Sequence, residues 1–294
     1  FSDLPRPERE KGTLNTLKDF FKGVVVTFKC KPFVKLCAAT FLIFNGFMLA
    51  SAFSAYVIFF YVYGGSETLD IAYSKGGTLL GWFGSISSVC TFCVIFLVTW
   101  ISTKIGKRTT FLIAISLSII GYALKWVGYN PTHPYLLLIA APFIAFGLGS
   151  LFTLVNSMVA DVCDLDELNT GRRREGTFGA IYWWMVKLGL AITSLISGIL
   201  LNVSGFNVKL GLNQTAETLL RMRLFDIGIP IITSLVAIFI IMTFSITEKR
   251  AYQIRTQVER RREERRREER RKEARRIEEE RRREERRKGE RRRV

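Results

Sequence analysis

Histidine is almost absent: His133 is the only one in 294 residues, which excludes a His-based metal centre. The five cysteines (Cys30, Cys37, Cys90, Cys93 and Cys163) are too few and too scattered to staple a small fold. Cys90 and Cys93 form a CxxC, but inside an apolar run without other soft ligands it reads as packing rather than redox or metal chemistry. The lack that decides most is of charge. Residues 36–63 carry none, and neither do residues 76–101. A soluble enzyme spreads charge over its whole surface, so such stretches argue for a body that lies in lipid.

The charge that is present is segregated. Of the net +17, residues 249–294 supply +11, with 23 basic and 12 acidic side chains. A bilayer core takes roughly 20 apolar residues as a helix, and six runs meet that length: about 36–63, 76–101, 109–129, 135–160, 177–205 and 224–247. Basic residues in the connections set the orientation. The N-terminal segment, the 102–108 and 161–176 loops and the tail together hold 37, against 5 in the opposite set. The expectation is a multi-pass protein of the cell membrane, plasma or inner, with both termini cytoplasmic.

Outside the spans, residues 1–35 read as a cytoplasmic linker. Within it, 14–28 alternate lysines with Leu14, Leu17, Phe20, Phe21 and Val24, a pattern for an amphipathic helix on the inner membrane surface. Residues 249–294 are an Arg/Glu-rich cytoplasmic tail, which from Glu259 onward is a repeat with a period close to five. Glu263 precedes Arg267 by four, so helical spacing supplies weak ion pairs. Ile254, Val258, Ala274 and Ile277 are too sparse for a coiled-coil seam. Such a tail is either a basic arm for anionic lipid or RNA, or a self-supporting solvated helix.

Two features inside the body carry chemistry. Asp161, Asp164 and Glu167 recur every three residues as the fourth span ends. Carboxylates there oppose the helix dipole and call for cations. Arg172, Arg173 and Arg174 follow Gly171, while Lys104, Lys107 and Arg108 lie in the other loop on that side. With Glu175, they form a candidate cytoplasmic charge network or gate; a solvated loop obeying the positive-inside bias is the plainer reading. The second feature is Lys187, which sits near the middle of the fifth span. A lysine there costs several kcal/mol on insertion scales, about 2.5–3.5 at a helix centre, and such residues usually face a cavity. Gly176, Ala180, Trp183, Ala191, Ser194 and Gly198 share its helix face. Small and polar residues mark a face that packs on protein or lines a cavity. Asn45 and Asn156 are polar residues within spans, read as interhelical hydrogen-bonding groups or ligand contacts.

The run Ala160-Asp-Val-Cys-Asp-Leu-Asp-Glu-Leu-Asn-Thr-Gly-Arg-Arg-Arg-Glu-Gly176, followed by Lys187, resembles the glycoside–pentoside–hexuronide:cation symporters. These are the melibiose-permease-like branch of the major facilitator superfamily. Ile105-Gly106-Lys107-Arg108 resembles the superfamily's short basic turn, with Thr103 where an acidic residue usually stands. The ending Ser245-Ile-Thr-Glu-Lys-Arg250 resembles the family's final helix exit.

The resemblance covers about residues 12–260. It implies an all-α membrane protein whose six transmembrane helices form one half of a major-facilitator-type bundle, with a charged C-terminal helix. The chain would correspond to spans seven to twelve and need an N-terminal six-helix half as partner, surrounded by membrane lipids. By resemblance, Lys187 lies beside a site for a coupling Na⁺ or H⁺, with Trp183, Tyr182 and Val186 one turn away and able to approach the sugar; Asn156, a polar residue within its span, is a further candidate for this cation and substrate site. No covalent chemistry, metal centre or cofactor beyond the coupling ion is implied. Rival readings are a lysolipid or other amphiphile transporter of the same superfamily and a membrane-anchored scaffold acting through its tail. An intramembrane transferase on Asp161-x-x-Asp164-x-Asp166-Glu167 lacks the upstream Asp-Gly and Ala-Arg pair, and a mitochondrial carrier lacks its threefold repeat.

Overall fold

The computed structural model describes residues 27–171 and 173–291, with side chains to residue 280. The amphipathic segment expected at 14–28 therefore lies almost wholly outside the described residues, as does Arg172. All regular elements among the described residues are helical. The six apolar helices are α1 (Lys31–Val57, continued by a π-helical turn at Ile58–Val62), α2 (Leu69–Ile105), α3 (Lys107–Gly128), α4 (Ala140–Thr170, preceded by a 3₁₀ turn at Pro134–Ile139), α5 (Glu175–Ser204) and α6 (Ala216–Met242). Each is long and apolar enough to cross a membrane. The charged helix α7 follows at Glu248–Arg291.

Local chemistry sets the boundaries. The Thr68 hydroxyl accepts from Ile71 N at the start of α2, and Thr215 accepts from Thr218 N at the start of α6, each satisfying one orphan N–H. Between α2 and α3 a single residue, Gly106, turns the chain at φ 86°, where a side chain would be strained. Gly171, at φ 67°, ends α4 in the left-handed conformation typical of helix C-termini. Helix α4 is longer than the apolar run that announces it. It continues through Asp161, Asp164 and Glu167 to Thr170, so these carboxylates sit on a rigid helix and not in a loop.

In the bundle, α1 is central and packs most extensively on α6, then on α5 and α4. Helix α3 packs on α4 and α6, and α2 packs mainly on α4. A glycine lets backbones approach at several of these crossings. A Cβ on Gly121 of α3 would sit 2.8 Å from Ile144 and Phe143 of α4. One on Gly149 of α4 would sit 2.8 Å from Val94 of α2, and one on Gly189 of α5 2.6 Å from the Asn45 amide of α1. The α1–α5 crossing is sealed by Thr193, whose hydroxyl donates to Asn45 Oδ1, while Asn45 Nδ2 donates to Phe41 O at 2.6 Å. Asn45 is thus used within the bundle. The π turn and the aromatic cluster around Phe53, Tyr56, Phe60 and Phe206 close the side away from α7, hereafter the far side.

Packing is one-sided. In the most apolar stretch of α1, 61% of residues are buried, and in that of α4 56%, but only 11% in α2 and 11% in α5. Gly77, Gly81 and Gly84 of α2, and Gly176, Gly179 and Gly198 of α5, have nothing within 4 Å of where a Cβ would stand. Two helices therefore present small-residue faces that this chain leaves uncovered.

Candidate functional site

Polar groups gather in three places. On the tail side, the end of α4 is a carboxylate ladder. Lys107 Nζ lies 2.6 Å from Asp161 Oδ2, and Arg255 of α7 lies 3.3 Å from Asp161 Oδ1. Arg262 of α7 grips Glu167 with both Nε and Nη2, at 2.9 and 2.5 Å, and lies 3.6 Å from Asp164. That bond to Glu167 raises the Arg262 guanidinium above its ordinary value. Arg174 binds Asp166 at 2.6 Å. Arg261 and Arg265 of α7 donate to the carbonyls of Leu168 and Gly171, which as helix-end acceptors lack backbone partners. Ala251, Ile254 and Val258 are buried on the same face of α7. The first turns of the Arg/Glu helix are thus docked on α4; from residue 266 to 280 it is exposed.

This differs in detail from the cations expected beside Asp161, Asp164 and Glu167. Lys107 is there. Arg173 instead pairs with neighbouring Glu175 at 2.6 Å, both more than half exposed. Arg108 donates to Met242 O at the end of α6, and Lys104 is exposed with no ion partner among the described residues. The cations for Asp164 and Glu167 come from the tail, beyond the nearby loops where the charge pattern directs attention.

The second assembly is absent from the sequence-based expectation. Lys125 of α3 and Asp226 of α6 form an ion pair of 2.7 Å at 2% and 0% exposure. Lys125 Nζ also donates to Ser54 Oγ of α1 at 2.7 Å, and Tyr129 Oη donates to Asp226 Oδ2 at 2.7 Å. Ser54 Oγ lies 3.1 Å from both Asp226 Oδ1 and Tyr129 Oη. Every strong donor and acceptor of the pair is engaged, so the quartet ties α1, α3 and α6 together on the far side. Beside it, Arg223 is sandwiched between the rings of Tyr61 and Trp126, 4.3 Å from each. The available signal is two lone, opposite charges inside the apolar runs of spans three and six; counting Lys125 with the basic residues of the connections conceals its place in the bundle.

The third place is the uncovered face. Lys187 lies about 18 Å along α5 from its start, close to its middle, and is exposed with no ion partner among the described residues. Gly176, Ala180, Trp183, Ala191, Ser194 and Gly198 are exposed on the same side. Asn156 is exposed on α4, its amide donating to Phe152 O. Tyr182 and Val186 do not join them. At 4% and 8% exposure they are packed in the main hydrophobic cluster. Helix phase is the reason: at 100° per residue, Trp183 is only about 40° from Lys187, whereas Val186 is about 100° and Tyr182 about 140° away.

Against known proteins, residues 4–248 match the family described as MFS/sugar transport protein. The isoprimeverose transporter of Lactiplantibacillus pentosus is 26% identical over 133 residues, 45% of this chain and 27% of that protein. A glucuronide carrier protein homolog of Escherichia coli is 29% identical over 167 residues, 56% and 36% of the two chains. A putative sulfoquinovose importer of Salmonella typhimurium is 25% identical over 245 residues, 82% and 48%. The chain therefore spans about half, or less, of the length of these relatives.

Proposed function

Because the chain belongs to the MFS/sugar transport protein family, we propose that it works as one six-helix half of a secondary transporter that carries a sugar or glycoside together with Na⁺ or H⁺. A second six-helix body covers the faces of α2 and α5, and the substrate and ion bind between the two bodies near the membrane midplane. Rocking of one body on the other opens the site to either side in turn.

The observation that carries this reading is Lys187. Lys125 has Asp226 as counter-charge, Asp161 has Lys107, and Arg223 lies between two aromatic rings. Lys187 is left on the open face without a counter-charge among the described residues, where an unpaired cation is expensive in lipid. A carboxylate-bearing partner surface removes that cost and places a charge-sensitive ion site at the contact. The uncovered glycines of α2 and α5 support close approach of partner helices. The relatives named for isoprimeverose, glucuronides and sulfoquinovose support a pyranose or pyranoside as cargo.

In this reading the tail side is cytoplasmic, as the 37-to-5 distribution of basic residues favours, and the membrane is the cell membrane. The Asp161–Lys107–Arg255 and Glu167–Arg262 contacts hold α4 and the tail together on that side, next to Arg173 and Glu175. The test is uptake by host cells of labelled isoprimeverose, 4-nitrophenyl β-D-glucuronide and sulfoquinovose, with lysophosphatidylcholine as competitor. Saturable pyranoside uptake lost on disruption of the gene is the expected result. Loss of lysolipid uptake alone would reassign the transporter to amphiphiles.

A further inference from the structure

Arg223 of α6 has no carboxylate partner among the described residues. On the far side, where α3, α6 and the π turn of α1 meet, Lys125 and Arg223 stand against a single acid, Asp226, and Lys125 takes it. Glu217, earlier on α6, is paired with Arg221. One positive charge is left over beside the quartet. What holds Arg223 is stacking: the guanidinium carbon lies 4.3 Å from the centre of the Tyr61 ring and 4.3 Å from that of Trp126. Its Nη2 donates to Trp126 O at 3.0 Å, a carbonyl in the last turn of α3 that lacks a backbone partner.

The rest of the fork is unused. Nε is enclosed and makes no hydrogen bond. Nη1 makes none among the described residues either, but it is not enclosed. With rings over both faces, an incoming acceptor meets the guanidinium at this open edge and in its plane. The Tyr61 hydroxyl and the Trp126 indole N–H also have no hydrogen-bond partner among the described residues, so the same rings offer two further donors. The surroundings decide which acceptor fits. Trp126 is in the last turn of α3, and Arg223 is about 10 Å into α6. Trp and Tyr near span ends mark the boundary between membrane and water. Val127, Leu220 and Leu224 turn apolar side chains outward there. A free anion gains nothing from that apolar border. An amphiphile does, with its chains along the seam and a phosphate at the guanidinium, whose fork matches phosphate oxygens.

We propose that the far-side seam of α3 and α6 binds one phospholipid, whose phosphate accepts from Arg223 Nη1 while Tyr61 and Trp126 hold the guanidinium between them. The site is independent of the transport reading, since neither Lys187 nor the open faces of α2 and α5 take part in it.

The test is lipid binding by the purified full chain in detergent, read by native mass spectrometry. Phosphatidylglycerol is the probe, and diacylglycerol is its counterpart without phosphate. The unaltered protein retains one phosphatidylglycerol most tightly, with no diacylglycerol in its place. Arg223→Gln weakens that binding by about 10-fold or more, the value of a charge-assisted hydrogen bond. Arg221→Gln removes an exposed arginine at the same end of α6 and changes it by less than about twofold. Because Arg223→Gln also gives up the Trp126 carbonyl, a second variant leaves the stacked arginine in place. Leu220→Glu sets a carboxylate three residues before Arg223, as an internal competitor for the guanidinium. It weakens phosphatidylglycerol binding as Arg223→Gln does, whereas Val208→Glu, in the exposed turn before α6, does not. Equal losses in the two glutamine variants, or in the two glutamate variants, overturn the site in favour of general charge attraction. Diacylglycerol retained as tightly as phosphatidylglycerol overturns it as well. Displacement of the lipid by inorganic phosphate, but not by chloride at equal ionic strength, assigns the site to a free anion and overturns the lipid.

Discussion

Replacing Lys125 with methionine removes one half of a charge pair that is 2% and 0% exposed. Asp226 then keeps Tyr129 and Ser54 as donors but loses its cation and the two contacts from Nζ. Breaking a buried pair in this way costs about 3–5 kcal/mol, because the remaining charge is uncompensated. For a protein of this size, each kcal/mol moves Tm by about 2–4 °C, so Lys125→Met should lower Tm by roughly 6–20 °C. Removing both charges in Lys125→Met/Asp226→Leu is a different perturbation. No charge is stranded, and a well-packed apolar replacement of a buried pair is often neutral. Most of the lost Tm should return, leaving the cost of Ser54 and Tyr129 seeking new partners. The assay is thermal unfolding of the purified protein in nanodiscs, with both single variants and the double as a cycle. A shift below about 2 °C for Lys125→Met, or a double variant as unstable as the sum of the singles, would refute the account of the quartet as a pin between α1, α3 and α6.

Two further outcomes follow from named contacts. Arg262→Ala removes the two-point grip on Glu167, so hydrogen exchange over residues 251–265 should quicken by about 10- to 100-fold, the equivalent of a charged hydrogen bond, while the exposed stretch from 266 to 280 is unaffected. Equal exchange in wild type and variant would mean that the tail is held by something else. Gly189→Leu drives a side chain into the Asn45 amide, 2.6 Å from even a Cβ. It should destabilise by about 1–3 kcal/mol by overpacking, with Gly179→Leu, on an open face, within about 0.5 kcal/mol. Thermal unfolding that ranks the two the other way would show that α5 does not cross α1 at this glycine.

The six helices were legible because residues such as 36–63 and 76–101 hold no charge at all, a pattern that few structures other than membrane helices satisfy. The end of α4 was not, because Asp161 looks like an exit from lipid while the helix runs on to Thr170. Lys187 could be read by its 3.6-residue face, and that same rule places Trp183 with it. Tyr182 and Val186 join Lys187 only through the resemblance, and helix phase turns both into the bundle. Lys125 and Asp226 sit 101 residues apart, and nothing local links them. The tail is instructive in another way. Ala251, Ile254, Arg255, Val258 and Arg262 recur at three- and four-residue steps. That is one helix face of apolar residues and arginines, too short for a coiled coil but suited to an acidic helix end. The surrounding Arg/Glu repeat hides it.

The central claim is that Lys187 is the unpaired charge on which coupled transport turns. The direct measurement is cation-dependent pyranoside uptake by host cells carrying Lys187→Ala, with the amount of protein in the membrane determined in parallel. The variant should insert normally and lose coupled uptake. Normal insertion with uptake and cation dependence unchanged would contradict the account.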